Sequence, residues 1–429
     1  MLKYLSTILL LLSPLVFAQP CTESFPFNES IKYVQCTFPL GSQYLSTNAA
    51  SDSYGSLLVP WPLPPKTKLK AHFDGYGAIL DSGDVQNSCY GYDYSEFNTI
   101  VTRNCPGHFP NLSLYPGEPL DWGGVFNGEL AYGQRITALF DYAKMNWDNF
   151  IDWKAGITLE GFSYGGSTSI LQSMLLPEEW RKQVSIVNAT LPPLMFVKNT
   201  DPIGNYWLDP RIQLAWGDFD ISRADITKVD VSHIYYRIRA ASNDNIPVFD
   251  LAFFHNCDTR KIACFGQWHD GDHSWGDKKA TPEYQVAMEK LYSGPDMSVR
   301  LDRLLPIFTN STANYMVEHE RGHYNLGLEW KDAGIVDKLN KIVLPIRYRR
   351  YTNMGEGLED QPENATFDLT IRRPQHFVLN LGQEVHYQIE DISDNVTVEV
   401  ENEITIPDII LASSTEYKNI TLTKVAPGC

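Results

Sequence analysis

A serine set between glycines, Gly161-Phe-Ser163-Tyr-Gly165, is the stretch of this 429-residue chain best suited to covalent chemistry. The run Ile157-Thr-Leu-Glu160 before it reads as a buried strand, and a helical pattern through Ile170, Leu171 and Met174 follows. The serine therefore falls on a tight strand-to-helix turn, where side chains two residues to either side would collide and glycine avoids the collision. Such a turn lifts the hydroxyl above the strand end and aims the backbone N–H of Tyr164 at an oxygen that is gaining negative charge. A serine hydroxyl is a weak nucleophile at neutral pH and needs a histidine base that is itself oriented by a carboxylate. Behind a turn of this kind the chain order is Ser, then Asp or Glu, then His, so both partners are sought after residue 163.

For the acid, Lys261-Ile-Ala-Cys-Phe-Gly-Gln-Trp-His-Asp-Gly-Asp272 reads as a strand running into a loop crowded with carboxylates. Asp270 ranks first and Asp272 second; Asp258, which follows the strand-like run Val248 to Phe254, is third. A helix over Pro282 to Tyr292 then fits the order acid loop, helix, last strand. The cluster His269, Asp270, Asp272 and His273 could hold a divalent cation, but its spacing matches no established metal motif, and neither metal nor cofactor is expected. For the base, Ala313 to Tyr324 reads as a strand ending in a glycine–histidine loop, which makes His323 the candidate, with His319, His273 and His269 competing. The interval from Asp270 to His323, 323 − 270 = 53 residues, leaves room for an insertion around Met297 to Pro306. A second oxyanion donor is sought in the glycine loop that ends the strand pattern Lys68 to Gly77, where Gly75 and Tyr76 are the candidates.

These residues need a sheet to hold them. Strand patterns at Tyr54 to Pro60, Lys68 onward, Glu96 to Thr102, Ile157 onward and Val184 to Leu191 alternate with helical ones, notably Asn127 to Met145, with Tyr132, Ile136, Leu139, Phe140 and Ala143 on one face. The alternation predicts a mostly parallel sheet covered by helices. Residues 193–245 break the rhythm, with Trp207, Trp216, Tyr235 and Tyr236 among polar residues, and read as a cap over the strand ends. From Lys341 short β-rich runs recur at regular spacing: Ile342–Tyr348, Thr366–Ile371, His376–Leu381, Val385–Ile389, Val396–Val400, Ile404–Leu411 and Ile420–Val425. They predict a β-sandwich. The expected organisation is a leader at 1–18, lead-in strands at 19–66, a catalytic domain at 67–338 and a β-rich domain at 339–429.

The leader has Lys3, an apolar core from Leu5 to Val16 and the small-residue site Val16-Phe-Ala18, the pattern of a cleaved secretory signal. The mature protein is therefore expected to be secreted and soluble, with no membrane span. A net charge of −17, from 52 acidic and 35 basic residues, argues against a nucleic-acid or anionic-membrane partner. The seven cysteines suit an oxidising compartment, with local pairs expected at Cys21–Cys36, Cys89–Cys105 and Cys257–Cys264 and Cys429 left odd. Sequons occur at Asn28, Asn111, Asn188, Asn310, Asn364, Asn395 and Asn419, of which Asn188 ends a strand pattern and fits a glycan least.

With these residues in place the chain resembles the α/β-hydrolase superfamily, and within it the Xaa-Pro dipeptidyl-peptidase and α-amino-acid ester hydrolase family. Ser-Tyr at the centre of Gly161-Phe-Ser-Tyr-Gly165 is favoured there and in prolyl-oligopeptidase-like enzymes. Arg103-Asn-Cys-Pro-Gly107 stands where that family has an arginine–glycine loop after its fourth strand. Gly266-Gln-Trp-His-Asp270-Gly-Asp272, followed by Trp275-Gly276, resembles its acid loop, and the β-rich end is similar in place to its C-terminal jelly roll. The resemblance covers residues 67–338. It implies an α/β-hydrolase fold with Ser163 as nucleophile, Asp270 as acid, His323 as base and Tyr76 as an oxyanion donor. The function it implies is hydrolysis of a small ester or peptide substrate; the alternative is a non-catalytic secreted binding glycoprotein on the same scaffold.

Overall fold

The computed structural model describes residues 21–26, 32–39, 54–61, 66, 68–73, 99–103, 131–162, 164–192, 230–242, 251–271, 277–293, 299–317 and 320–425. The chain divides into two compact units, Met1–Trp153 and Lys154–Cys429. In the first, β1 (Cys21–Pro26), β2 (Lys32–Pro39) and β3 (Tyr54–Trp61) run antiparallel in succession, in a register that sets Cys21 opposite Cys36. β4 (Lys68–Phe73) lies parallel to β5 (Thr99–Arg103), which pairs antiparallel with β3. Helix α1 (Ala131–Trp147) buries Phe140 and Ala143, two of the residues the helical pattern places on one face.

The second unit is built on a parallel run. β6 (Ile157–Phe162) is followed by α2 (Tyr164–Leu175) and the short α3 (Glu178–Arg181), then by β7 (Val184–Thr190), β8 (Tyr235–Ala241), α4 (Ala252–Arg260) and β9 (Ala263–His269). These four strands pair in that order, all parallel. Every residue of β7 and β9 is buried, as expected of a parallel sheet covered on both faces. Two expectations change here. Tyr235 to Ala241, read as part of the cap, is an inner strand; Asn188, the sequon that fits a glycan least, is buried in β7 as its strand pattern implies. Leu251 to Phe254, read as strand, enters α4, because a short apolar run carries no period that separates helix from strand.

The end of β9 is fixed by an aromatic stack. Phe254 of α4 lies between Trp268, 5.3 Å away, and Tyr324, 5.1 Å away, both near parallel to it. Tyr324 belongs to β11 (Gly322–Tyr324), which pairs antiparallel with β9. A Cβ on Gly266 would come within 2.3 Å of the Phe254 ring, and one on Gly322 within 2.3 Å of the Trp268 ring, so both glycines are there for ring room. The Cys257–Cys264 disulfide, the pairing expected from spacing, ties α4 to β9. Gly322→Ala is expected to destabilise the protein by about 1–3 kcal/mol through overpacking, read as a lower urea midpoint with an unchanged slope.

After α5 (Pro282–Ser293) the chain is largely antiparallel β-structure. β10 (Leu305–Thr309), β15 (Asn364–Arg372) and β18 (Glu403–Ala412) form one sheet. A second sheet runs β12 (Leu328–Trp330), β14 (Lys341–Tyr348), β19 (Lys418–Lys424), β16 (Glu384–Ile389) and β17 (Ile392–Thr397), with β13 (Val336–Lys338) also on β14. Phe367, Leu369 and Ile406 of the first sheet and Ile342, Leu344 and Leu422 of the second fall in one core, which continues to Tyr235 and Phe265 of the parallel strands. His376 to Leu381, read as a strand, forms none. Among the described residues no helix is long and apolar enough to cross a membrane.

Candidate active site

Phe162 ends β6 and Tyr164 begins α2, so strand and helix stand one residue apart in the chain. That residue, Ser163, lies outside the described residues. Gly166, three residues on, is tightly packed: a Cβ there would sit 3.0 Å from the Thr190 carbonyl oxygen and 3.2 Å from that of Gly161. The start of α2 thus packs directly on the ends of β6 and β7. Tyr164 is the first helical residue, and its N–H is one of the four that have no acceptor within the helix, at the end where the helix dipole favours negative charge. Deeper along α2, the Ser173 hydroxyl donates to the Ile170 carbonyl at 2.6 Å and lies 2.8 Å from the Tyr236 hydroxyl of β8, fixing the helix to the sheet.

The chain leaves the carboxyl ends of the parallel strands at Phe162, Thr190, Ala241 and His269, with Phe162 opposite Thr190 and Ala241 opposite His269. At that edge Ser242 N–H donates to the His269 carbonyl at 2.7 Å, and its hydroxyl donates to the carbonyl of Glu320 at 2.7 Å. The segments that follow β8 and β9 therefore begin side by side.

The acid and base that spacing selects are not brought together. The Asp270 carboxylate is 2.5 Å from Lys279 Nζ, in a half-exposed ion pair. His323 is no loop residue but the middle of β11, opposite Gln267, and 1% exposed. Neither of its ring nitrogens has a hydrogen-bond partner among the described residues. Burial pushes its imidazole down to about 3, far below the pH where a general base works best. Asp258 lies within α4, where it accepts from the Tyr324 hydroxyl at 2.6 Å and from the Asn310 N–H at 2.7 Å; burial raises its pKa. His269 Nδ1 accepts from Gly271 N–H at 3.0 Å. Asp272, His273, His319, Gly75 and Tyr76 lie outside the described residues.

β8 takes the place between β7 and β9 that the sequence pattern gives to Val248–Phe254, and β11, which carries His323, runs antiparallel to β9. The chain order Ser, acid, His then moves back by one strand: the acid is sought after β8, which continues Ser242-Asn-Asp244-Asn, and the base after β9, which continues Asp270-Gly-Asp-His273. Asp244, also outside the described residues, is a candidate the sequence reading did not weigh. The signal was present in Tyr235-Tyr-Arg-Ile-Arg-Ala-Ala241, whose Tyr236, Ile238 and Ala240 alternate as a strand should.

The depressed pKa of His323 carries a stability consequence. The unfolded chain takes up a proton near pH 6.5 and the folded one only near 3, so this contribution is whole above about pH 6.5 and is lost as pH falls towards 3. Stability is expected to drop by up to about 1.4 kcal/mol per pH unit in that window, and His323→Leu to abolish that part of the slope, measured by urea unfolding between about pH 7 and 4.5.

No family model matches the chain, and no curated protein sequence does. Among solved structures it is similar to an S-formylglutathione hydrolase from Agrobacterium tumefaciens, with 14% identity and a TM-score of 0.40 over 59% of this chain and 91% of the other. It is similar also to acetyl xylan esterase 1 from Thermoanaerobacterium sp. JW/SL YS485, with 15% identity and a TM-score of 0.41 over 64% and 87%. Esterase B from Lactobacillus rhamnosis gives 14% and 0.40 over 63% and 87%.

Proposed function

We propose that this chain is a secreted serine hydrolase that cleaves a carboxylic ester or peptide bond through an acyl-enzyme on Ser163. The observation that supports this most is the single-residue interval between β6 and α2, flanked by Gly161, Gly165 and Gly166, at the carboxyl edge of a parallel sheet. In this reading His273 takes the Ser163 proton and later delivers it to the leaving group, while Asp244 orients and charges the imidazole. They stand in place of His323 and Asp270. The Tyr164 N–H holds the oxyanion, with Gly75 and Tyr76 as candidates for a second donor. Water then releases the acid.

The leading test is a panel of short-chain p-nitrophenyl esters and aminoacyl or Xaa-Pro p-nitroanilides, run on wild type and Ser163→Ala. Turnover of either class that Ser163→Ala abolishes supports the reading. Preference for the Xaa-Pro anilides extends it to the peptidase family the motifs resemble. Turnover that survives Ser163→Ala, or folded wild type that turns over neither class, sinks it.

A further inference from the structure

Strand β17 is an open edge. Among the described residues it pairs with β16 alone, and Ile392 to Asn395 and Thr397 are all exposed, as is Val400 further along the chain. An exposed edge with unpaired N–H and C=O groups is a template for pairing with another chain, and natural sheets block such edges. β17 has no lysine and no proline; it has the sequon Asn395-Val-Thr397. On a strand residues i and i+2 share a face, so Asn395 and Thr397 stand together on one side of it.

The sequons differ in what their amides do. Asn188 is buried, with Nδ2 donating to Glu160 at 3.5 Å. Asn310 has its Nδ2 engaged by Asp368 at 2.7 Å. At Asn395 it is the amide oxygen that is held, accepting from His386 Nδ1 at 3.0 Å, and no described residue bonds its Nδ2. With the oxygen held, the nitrogen, the atom that glycosylation uses, is left without a bond to any described residue.

We propose that Asn395 carries an N-linked oligosaccharide that covers the β17 edge and keeps the protein from self-associating through it. The inference rests on the secretory part of the proposed function. A lipid-pyrophosphate-linked oligosaccharide is the donor: a bond forms from Asn395 Nδ2 to the sugar C1, the C1–O bond to pyrophosphate breaks, and one amide proton is lost. The bulky, hydrated glycan then does what lysine or proline does on other edges.

The test is expression of the full chain in a eukaryotic secretory host, with peptide mapping after enzymatic deglycosylation in heavy-oxygen water. The wild type is compared with Asn395→Gln, Thr397→Ala and Thr397→Ser by light scattering. A label at Asn395 and not at Asn188, together with dimers or larger species in Asn395→Gln and Thr397→Ala but not in Thr397→Ser, is the expected result. Thr397→Ser keeps the sequon, so it separates loss of glycan from loss of threonine. Secreted protein with Asn395 unmodified overturns the proposal, as do unglycosylated variants that stay as monomeric as wild type. Should a variant fail to fold, deglycosylation of native wild type followed by light scattering gives the same reading. Protein that never enters the medium overturns the secretory reading instead, and the two failures are told apart by where the protein is found.

Discussion

His273→Ala is expected to lower kcat/KM on the preferred ester or amide by about 10⁴-fold or more, whereas His323→Leu leaves it within a few-fold of wild type. The contrast follows from what each site lets an imidazole do. A base that cycles its proton needs a pKa near the working pH and reach to the serine. His323 is enclosed in β11, is neutral down to about pH 3, and has no carboxylate on either nitrogen. His273 follows the last parallel strand, where chain order puts the base. Asp244→Asn is expected to lose rate on the same scale, and Asp270→Asn to lose little, since Lys279 holds that carboxylate. Steady-state kinetics on the four purified variants, with circular dichroism to confirm folding, decides it. A reversed pattern, with His323 and Asp270 essential, would restore the assignment that spacing favours.

Arg321→Ala is expected to destabilise the second unit by about 3–5 kcal/mol, the largest single effect on stability anticipated here. Its guanidinium is wholly buried and donates to one oxygen of Asp277 through Nε at 2.9 Å and Nη2 at 2.6 Å. It also donates to the carbonyls of Met354, at 3.2 Å, and Glu356. One side chain thereby fastens three segments: the approach to β11, the start of the stretch leading to α5, and the loop after β14. Removing it leaves the Asp277 carboxylate buried and unpaired, which costs more than the ion pair itself contributes. Replacing both partners, as Arg321→Met with Asp277→Leu, is expected to recover part of the loss. Urea unfolding of the single and double variants measures this; a single-variant loss below about 1 kcal/mol would show that the pair is solvated.

Some of this fold is legible in the residues because the cause is local. Gly161, Ser163, Gly165 and the apolar positions on either side encode a strand, a turn and a helix within twenty residues. Cys257 and Cys264 are close enough in sequence for their bond to follow from spacing. The strands after Lys341 stand out through alternation and regular turns. The misreadings share a different cause. β8 was hidden because Arg237 and Arg239 interrupt its apolar run, yet Arg237 is buried, with its guanidinium 5.1 Å from the Tyr235 ring. A charged residue in a sequence reads as surface; here an aromatic partner several ångströms away decides otherwise. Gly322 reads as a turn before His323, whereas the glycine is required by the Trp268 ring packed against it from β9. That contact lies 54 residues away in the chain, 322 − 268, and no local pattern carries it.

The proposed function requires Ser163 to be a nucleophile activated for attack on an acyl carbon. Incubating the purified protein with a fluorophosphonate probe and locating the adduct by peptide mass spectrometry reads this without a known substrate. One stoichiometric adduct on the peptide containing Ser163, absent in Ser163→Ala and greatly slowed in His273→Ala, is the expected result. An adduct on another residue, or no adduct on natively folded protein, would contradict it.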